Sequence, residues 1–161
     1  MTGITQELIA DLTRRKLTLA VAESLTGGLL VAEFVSVAGA SSVVLGGVVA
    51  YNTELKHSIL GVDAGLLAAH GAVHPEVASQ MASGVREALA VAGNAADIGI
   101  STTGVAGPGP SDGHPQGTAF VAISIGDQTH ILSLSLEGSR EEIRNLVVSE
   151  SLTYLKAVVT G

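Results

Sequence analysis

The sequence predicts an α/β protein: a three-layer α/β/α sandwich on a five-stranded mixed, mostly parallel sheet. Three observations lead there. Short β-favouring runs alternate with longer stretches of helical periodicity, in the order α-β-α-β-α-α-α-β-β-β-α. The chain is 47% hydrophobic but only 2% aromatic, so its core is Val, Ile, Leu and Ala, which lets helices lie close on a sheet. Its 20 glycines are too many for a helical bundle, and they gather at the expected turns. At 161 residues the length suits one domain spanning 1–161.

Residues 4–15 read as an amphipathic helix, with Ile4, Leu8, Ile9 and Leu12 on one face. Arg14, Arg15 and Lys16 at its end suit the negative pole of the helix dipole. A strand over Leu17 to Ala22 turns at Ser24 into a helix starting at Leu29 and ending near Gly39. Val43 to Tyr51 is apolar on both faces, which predicts a buried central strand, and Gly46-Gly47 within it predicts a bulge or a close approach. Short helices follow over 52–60 and 63–69, and Pro75 opens a longer one to about Ala92. Ala96 to Thr102 is a strand that feeds the glycine- and proline-rich segment 103–115. An irregular stretch of that length is usually functional or mobile. Strands over 117–125 and 130–136 form a hairpin around Gly126-Asp127-Gln128. Ser139 and Glu142 then stand at capping-box spacing before a last helix to about Val159.

Composition excludes several classes of function. The absence of cysteine rules out disulfides, thiolate chemistry and Cys-ligated zinc. A net charge of −7 with eight basic residues and almost no aromatics disfavours nucleic acid. No apolar stretch is long enough to span a bilayer, and no export signal is expected, so a soluble cytoplasmic protein is the default. Cations are scarce between the two chain ends, so few side chains can meet an anionic ligand, and Lys56, Arg140 and Arg144 head the list.

The parallel strands are expected to end together at Ser24, at Tyr51 with Lys56, and at Thr103, where ligands of open α/β sheets collect. Ser24 at a strand-to-helix turn presents a hydroxyl beside the N–H groups of Thr26, Gly27 and Gly28, a candidate oxyanion hole. On spacing alone, Ser24 or Thr26 is equally an ordinary helix N-cap. A desolvated Lys56 near Ser24 would lose its proton and act as base, with Tyr51 relaying a proton or orienting the amine. The alternative is a surface lysine paired with Glu54. Gly104 to Gly109 offers backbone N–H groups to a phosphate or ribose but matches neither a P-loop nor a dinucleotide fingerprint. Arg140 sits against the dipole of the last helix, which hints at a role. His70 and His74 are four apart, but Gly71 and Pro75 oppose their sharing a helix, so no metal site is expected.

Taken together, Ala22-Glu23-Ser24-Leu25-Thr26-Gly27-Gly28, Gly47-Val48-Val49-Ala50-Tyr51-Asn52 with Lys56, and Leu60-Gly61-Val62 form an ordered set. His70-Gly71-Ala72-Val73, Thr103-Gly104-Val105-Ala106-Gly107-Pro108 and Gly138-Ser139-Arg140-Glu141 complete it. In these segments the chain resembles the CinA C-terminal domain family, whose standalone members are nicotinamide-nucleotide amidases of the PncC type. The resemblance covers about Leu17 to Val159. It implies a homo-oligomer that hydrolyses nicotinamide mononucleotide to nicotinate mononucleotide and ammonia, in pyridine-nucleotide salvage. Ser24 would be the nucleophile, assisted by Lys56 and Tyr51. The substrate would lie against Thr103, Gly104, Ala106, Gly107 and Arg140, with no cofactor. Leu25 stands where the family often has cysteine, His74-Pro75 where it usually has Ser-Glu, and Ser139 where it has aspartate. A catalytically silent nucleotide-binding or regulatory protein on the same fold is the alternative.

Overall fold

The computed structural model describes residues 2–161. Its helices are α1 (Thr2–Arg15), α2 (Leu29–Val35), α3 (Thr53–Ser58), α4 (Ala64–His70), α5 (Pro75–Ala88) and α6 (Arg140–Thr160). The strands are β1 (Leu19–Glu23), β2 (Val44–Val49), β3 (Ile98–Gly104), β4 (Thr118–Ile125) and β5 (Gln128–Ser135). They form one sheet in the order β2-β1-β3-β4-β5. β1 lies parallel to both β2 and β3, whereas β4 is antiparallel to β3 and to β5. Four strands therefore share a direction and β4 alone is reversed, which is the expected mixed, mostly parallel sheet.

Strand alternation divides the core between the two faces. Leu19, Val21, Ile98, Ile100, Val121 and Ile123 pack with the apolar faces of α1, α2 and α6. On the other face Ala20, Ala22 and Ala96 meet Leu67 of α4 and Val77, Met81 and Val85 of α5. The α5 face uses small strand residues because the helix backbone lies almost on the sheet. A Cβ added at Gly99 would sit 1.9 Å from the Ala82 carbonyl oxygen of α5; elsewhere on the same helix, one at Gly84 would sit 1.8 Å from the carbonyl oxygen of Leu60 in the loop after α3. Gly99→Ala is therefore expected to cost about 3 kcal/mol of stability, since backbone on both sides must separate. Urea denaturation checks this.

The sequence reading of Val43 to Tyr51 as a central strand is corrected: β2 is an edge strand, half-buried or exposed along its length. Its apolar character on both faces reflects cover above and below rather than neighbours on both sides. Val31 of α2 closes on Gly47, where a Cβ would lie 2.9 Å from the valine side chain, and Leu89 lies over Gly46. The bulge does fall here: pairing passes from Leu19 with Val44 to Ala20 with Gly46, leaving Leu45 extra. α5 also stops earlier than expected, at Ala88. The β4–β5 hairpin is tighter than expected. Ile125 pairs with Gln128 across the two residues Gly126-Asp127, with Gly126 at φ +57°. At α6 the capping box forms, Ser139 Oγ accepting from Glu142 N–H at 3.2 Å and Glu142 Oε2 accepting from Ser139 N–H at 2.7 Å. No helix among the described residues is long and apolar enough to cross a membrane.

Candidate active site

The carboxyl ends of β1, β2 and β3 deliver their loops to one edge of the sheet. Ser24 follows β1 directly, and its N–H donates to the Thr102 carbonyl of β3 at 3.0 Å. The hydroxyls of Thr26 and Thr102 share a buried hydrogen bond of 2.8 Å. Neither Ser24 nor Thr26 caps α2, so the N-cap alternative fails. Gly28, at φ +102°, starts the helix without a side-chain cap. Glu23 does the capping from below: its buried carboxylate accepts the N–H groups of Leu30 at 2.8 Å and Val31 at 3.1 Å. With the helix end satisfied by Glu23, the Ser24 hydroxyl has no capping duty.

Lys56 reaches that hydroxyl from α3. The helix is started by Asn52, whose side chain accepts from Glu54 N–H at 2.9 Å. Lys56 is fully buried, and its Nζ donates to Ser24 Oγ at 3.0 Å, to the Ala50 carbonyl at 2.6 Å and to the Tyr51 carbonyl at 3.4 Å. It makes no ion pair among the described residues, so the reading as a surface lysine paired with Glu54 also fails. Burial pulls the amine down to about 8, opposed by the negative charge of Asp112. An amine with a value so near neutrality holds an appreciable deprotonated fraction, about one tenth at pH 7.

Tyr51 contributes differently from expectation. Its carbonyl orients the Lys56 amine, while its exposed ring turns outward and its hydroxyl accepts from Arg140 Nη2 at 3.2 Å. Arg140 also donates to the Gly107 carbonyl at 2.6 Å, which ties α6 to the glycine loop. A cavity of about 340 Å³ lies between them, lined by Ser24, Tyr51, Gly104, Ala106, Gly107 and Arg140 among others. Thr103 is not part of the lining. It is buried, and its Oγ1 donates to the Ala72 carbonyl at 2.7 Å, so it supports the loop from behind. Of the three proposed oxyanion donors, the Gly27 N–H is already taken by the Ser24 carbonyl at 3.1 Å. The N–H groups of Thr26 and Gly28 have no acceptor among the described residues. Of the three cations expected to meet an anion, Arg140 alone lines the cavity.

Two contributors, Glu23 and Asp112, are not legible in the sequence, and a third, Arg144, plays another part than its charge suggests. Glu23 was visible only as an acid before Ser24, and capping rules look for the residue beside the helix start rather than one strand residue earlier. Arg144 was read as an anion contact, yet it bonds to the carbonyls of Leu25 and Thr26. Asp112 lies in the long loop at φ +51°, with Oδ2 accepting from Ala72 N–H at 3.1 Å. Asp112→Asn keeps that acceptor and removes the charge. The Lys56 midpoint should then fall further below its present value. Titration of ¹³Cε-labelled lysine reads this directly, and an unchanged midpoint would show that Asp112 exerts no field on the amine.

His74 and Ser139, where the chain departs from the resembled pattern, both serve as helix caps. His74 Nδ1 accepts from Glu76 N–H at 3.1 Å at the start of α5, and Ser139 starts α6. The imidazole of His74 lies 4.6 Å from that of His70, centroid to centroid.

The family model of the CinA C-terminal domain matches residues 1–159. A CinA-like protein of Frankia casuarinae is 46% identical over 93% of this chain and 34% of its own length. The chain thus spans about a third of the curated relatives it matches. Among solved structures, the competence damage-inducible protein A of Klebsiella pneumoniae is 35% identical with a TM-score of 0.91, over 99% of this chain and 96% of its own. The competence/damage inducible protein CihA of Agrobacterium tumefaciens is 32% identical with a TM-score of 0.89, over 97% and 93%.

Proposed function

The chain belongs to the CinA C-terminal domain family, and from that premise we propose that it is an amidohydrolase that deamidates nicotinamide mononucleotide. The observation that supports this most is the 3.0 Å contact between Ser24 Oγ and a fully buried, ion-pair-free lysine amine. A serine hydroxyl needs a base to become a nucleophile, and a desolvated amine is one.

In this reading Ser24 Oγ attacks the carboxamide carbon while neutral Lys56 takes its proton. The carbonyl oxygen becomes an oxyanion facing the Thr26 and Gly28 N–H groups. Lys56 then passes a proton to the departing ammonia as the C–N bond breaks, leaving an acyl-serine. Water, deprotonated by the same amine, attacks the acyl carbon; the ester C–O bond then breaks, Lys56 returns the proton to Ser24 Oγ, and nicotinate mononucleotide leaves. Positive charge for the phosphate comes from Arg140 at the cavity wall. Tyr51 orients the Lys56 amine through its carbonyl, and its hydroxyl holds Arg140 in place.

The second reading is a protein that binds the mononucleotide without hydrolysing it. His74 and Ser139, the residues that depart from the family pattern, start α5 and α6 and lie outside the cavity lining. Ammonia release measured beside mononucleotide binding separates the two: binding without ammonia overturns the deamidase.

The proposal also includes a cytoplasmic location and self-association. Val49, Tyr51, Leu55 and Ile59 leave apolar surface exposed along the open β2 edge and α3. Light scattering is expected to return a multiple of the chain mass, and replacing Leu55 and Ile59 by serine to reduce it. A monomer at all concentrations would remove that element.

A further inference from the structure

Arg144 lies one helical turn beyond Arg140 on α6, half-buried, and takes no part in lining the cavity that holds Ser24. Nor does it join an ion pair among the described residues. Its guanidinium is spent on backbone instead. Nε donates to the Leu25 carbonyl at 2.8 Å and Nη2 to the Thr26 carbonyl at 3.1 Å. Gly27 admits it: a Cβ there would sit 3.2 Å from Nη2.

The geometry of a peptide unit says what this does. A trans peptide is planar, with its C=O and N–H pointing opposite ways. Anchoring the Leu25 carbonyl on Arg144 therefore turns the Thr26 N–H away from α6. That N–H is among those without an acceptor; Thr26 itself is buried just behind the lining, and the Leu25 and Ser24 that precede it belong to the cavity wall. The anchored Thr26 carbonyl belongs to the peptide whose N–H, that of Gly27, closes the turn onto the Ser24 carbonyl at 3.1 Å. A cation on a carbonyl oxygen also draws electron density from its peptide, making the N–H a stronger donor.

We infer that Arg144 is a positioning residue for the oxyanion: from behind the Ser24 turn it fixes and polarises the Leu25–Thr26 peptide so that its N–H meets developing negative charge. This rests on Ser24 being the nucleophile. The consequence is selective. Arg144 should matter for a tetrahedral, negatively charged adduct and hardly at all for a flat ground-state ligand.

Pyridine-3-boronic acid probes this without requiring turnover. Ser24 Oγ adds to the trigonal boron, the hydroxyl proton leaves to Lys56, and a tetrahedral boronate anion results, which ¹¹B NMR distinguishes from the free acid. The unsubstituted protein, Arg144→Lys, Arg144→Met and Ser24→Ala are titrated with the boronic acid and, separately, with nicotinate mononucleotide. Arg144→Met is expected to bind the boronate about tenfold more weakly, below the 10²–10³ effect of deleting a donor outright, because the N–H itself remains. Arg144→Lys, whose single amine cannot span both carbonyls, should lose a smaller factor, and nicotinate mononucleotide affinity should stay within about twofold. Thermal melts confirm that each variant is folded; if Arg144→Met is not, the lysine variant decides. Equal boronate affinity with and without the guanidinium overturns the inference and leaves the serine mechanism standing. No adduct with the unsubstituted protein, or an undiminished one with Ser24→Ala, overturns the serine mechanism and this inference with it.

Discussion

Ser24→Ala abolishes ammonia release, by a factor of about 10⁴ or more, while mononucleotide binding stays within about twofold. The size of the effect follows from the attacking oxygen having no substitute. In the structure, Lys56 Nζ has three acceptors, and the other two are backbone carbonyls, which cannot act as nucleophiles. Binding should survive because the cavity wall is formed mainly by residues 104–111 and by Arg140, none of which depends on the hydroxyl. Coupled-enzyme ammonia detection and calorimetric titration give the two numbers. Turnover retained at more than a hundredth of the original would sink the nucleophile assignment.

Lys56→Met should abolish the same activity and yet make the protein more stable, by about 1–2 kcal/mol at pH 7. A lysine lowered to about 8 in the folded state binds fewer protons than in the unfolded chain between that value and the ordinary lysine value. Stability therefore rises with pH across that window, and below it burial of the amine costs about 3 kcal/mol. Methionine removes this cost, but part of the gain is lost because the Ala50 carbonyl forfeits a donor at 2.6 Å. Urea denaturation at pH 7 and at pH 10 separates the effects. The unsubstituted protein gains stability between the two values, and the variant gains less. A less stable variant at pH 7 would mean that the amine is not paying for its burial.

Much of the site could be read in advance, and the parts that could not share a cause. Topology lets Ser24 and Lys56 meet, because residues that follow two adjacent parallel strands lie at the same sheet edge, but a surface lysine is equally compatible with the sequence and only the fold buries the amine. The same reasoning placed Gly104, Ala106 and Gly107 beside them. Tyr51 stands beside the amine, but it is its carbonyl that meets Lys56, while its ring goes to Arg140. Thr103 was one residue from the cavity, and strand alternation turned its hydroxyl to the Ala72 carbonyl. Arg144 offered the signal of a cation near an anion site; its partners proved to be carbonyls of a turn over a hundred residues earlier in the chain. Glu23 reads locally as an acid between the first strand and Ser24, and only the folded turn brings α2 over its carboxylate.

From residue order alone came the layers, the five strands, the capping box at Ser139 and the meeting of a serine with a lysine at one sheet edge. The first three follow from periodicity and local capping, which each segment carries within itself; the last follows from successive parallel strands delivering their loops to one edge. Tertiary structure decided that β2 is an edge, that Glu23 holds the helix beneath Ser24, that Arg144 faces the back of the turn and that Asp112 bears on Lys56. A side-chain pattern reports which faces of an element are covered. It carries no record of the strand lying beside it, or of which distant backbone group will take up a buried charge.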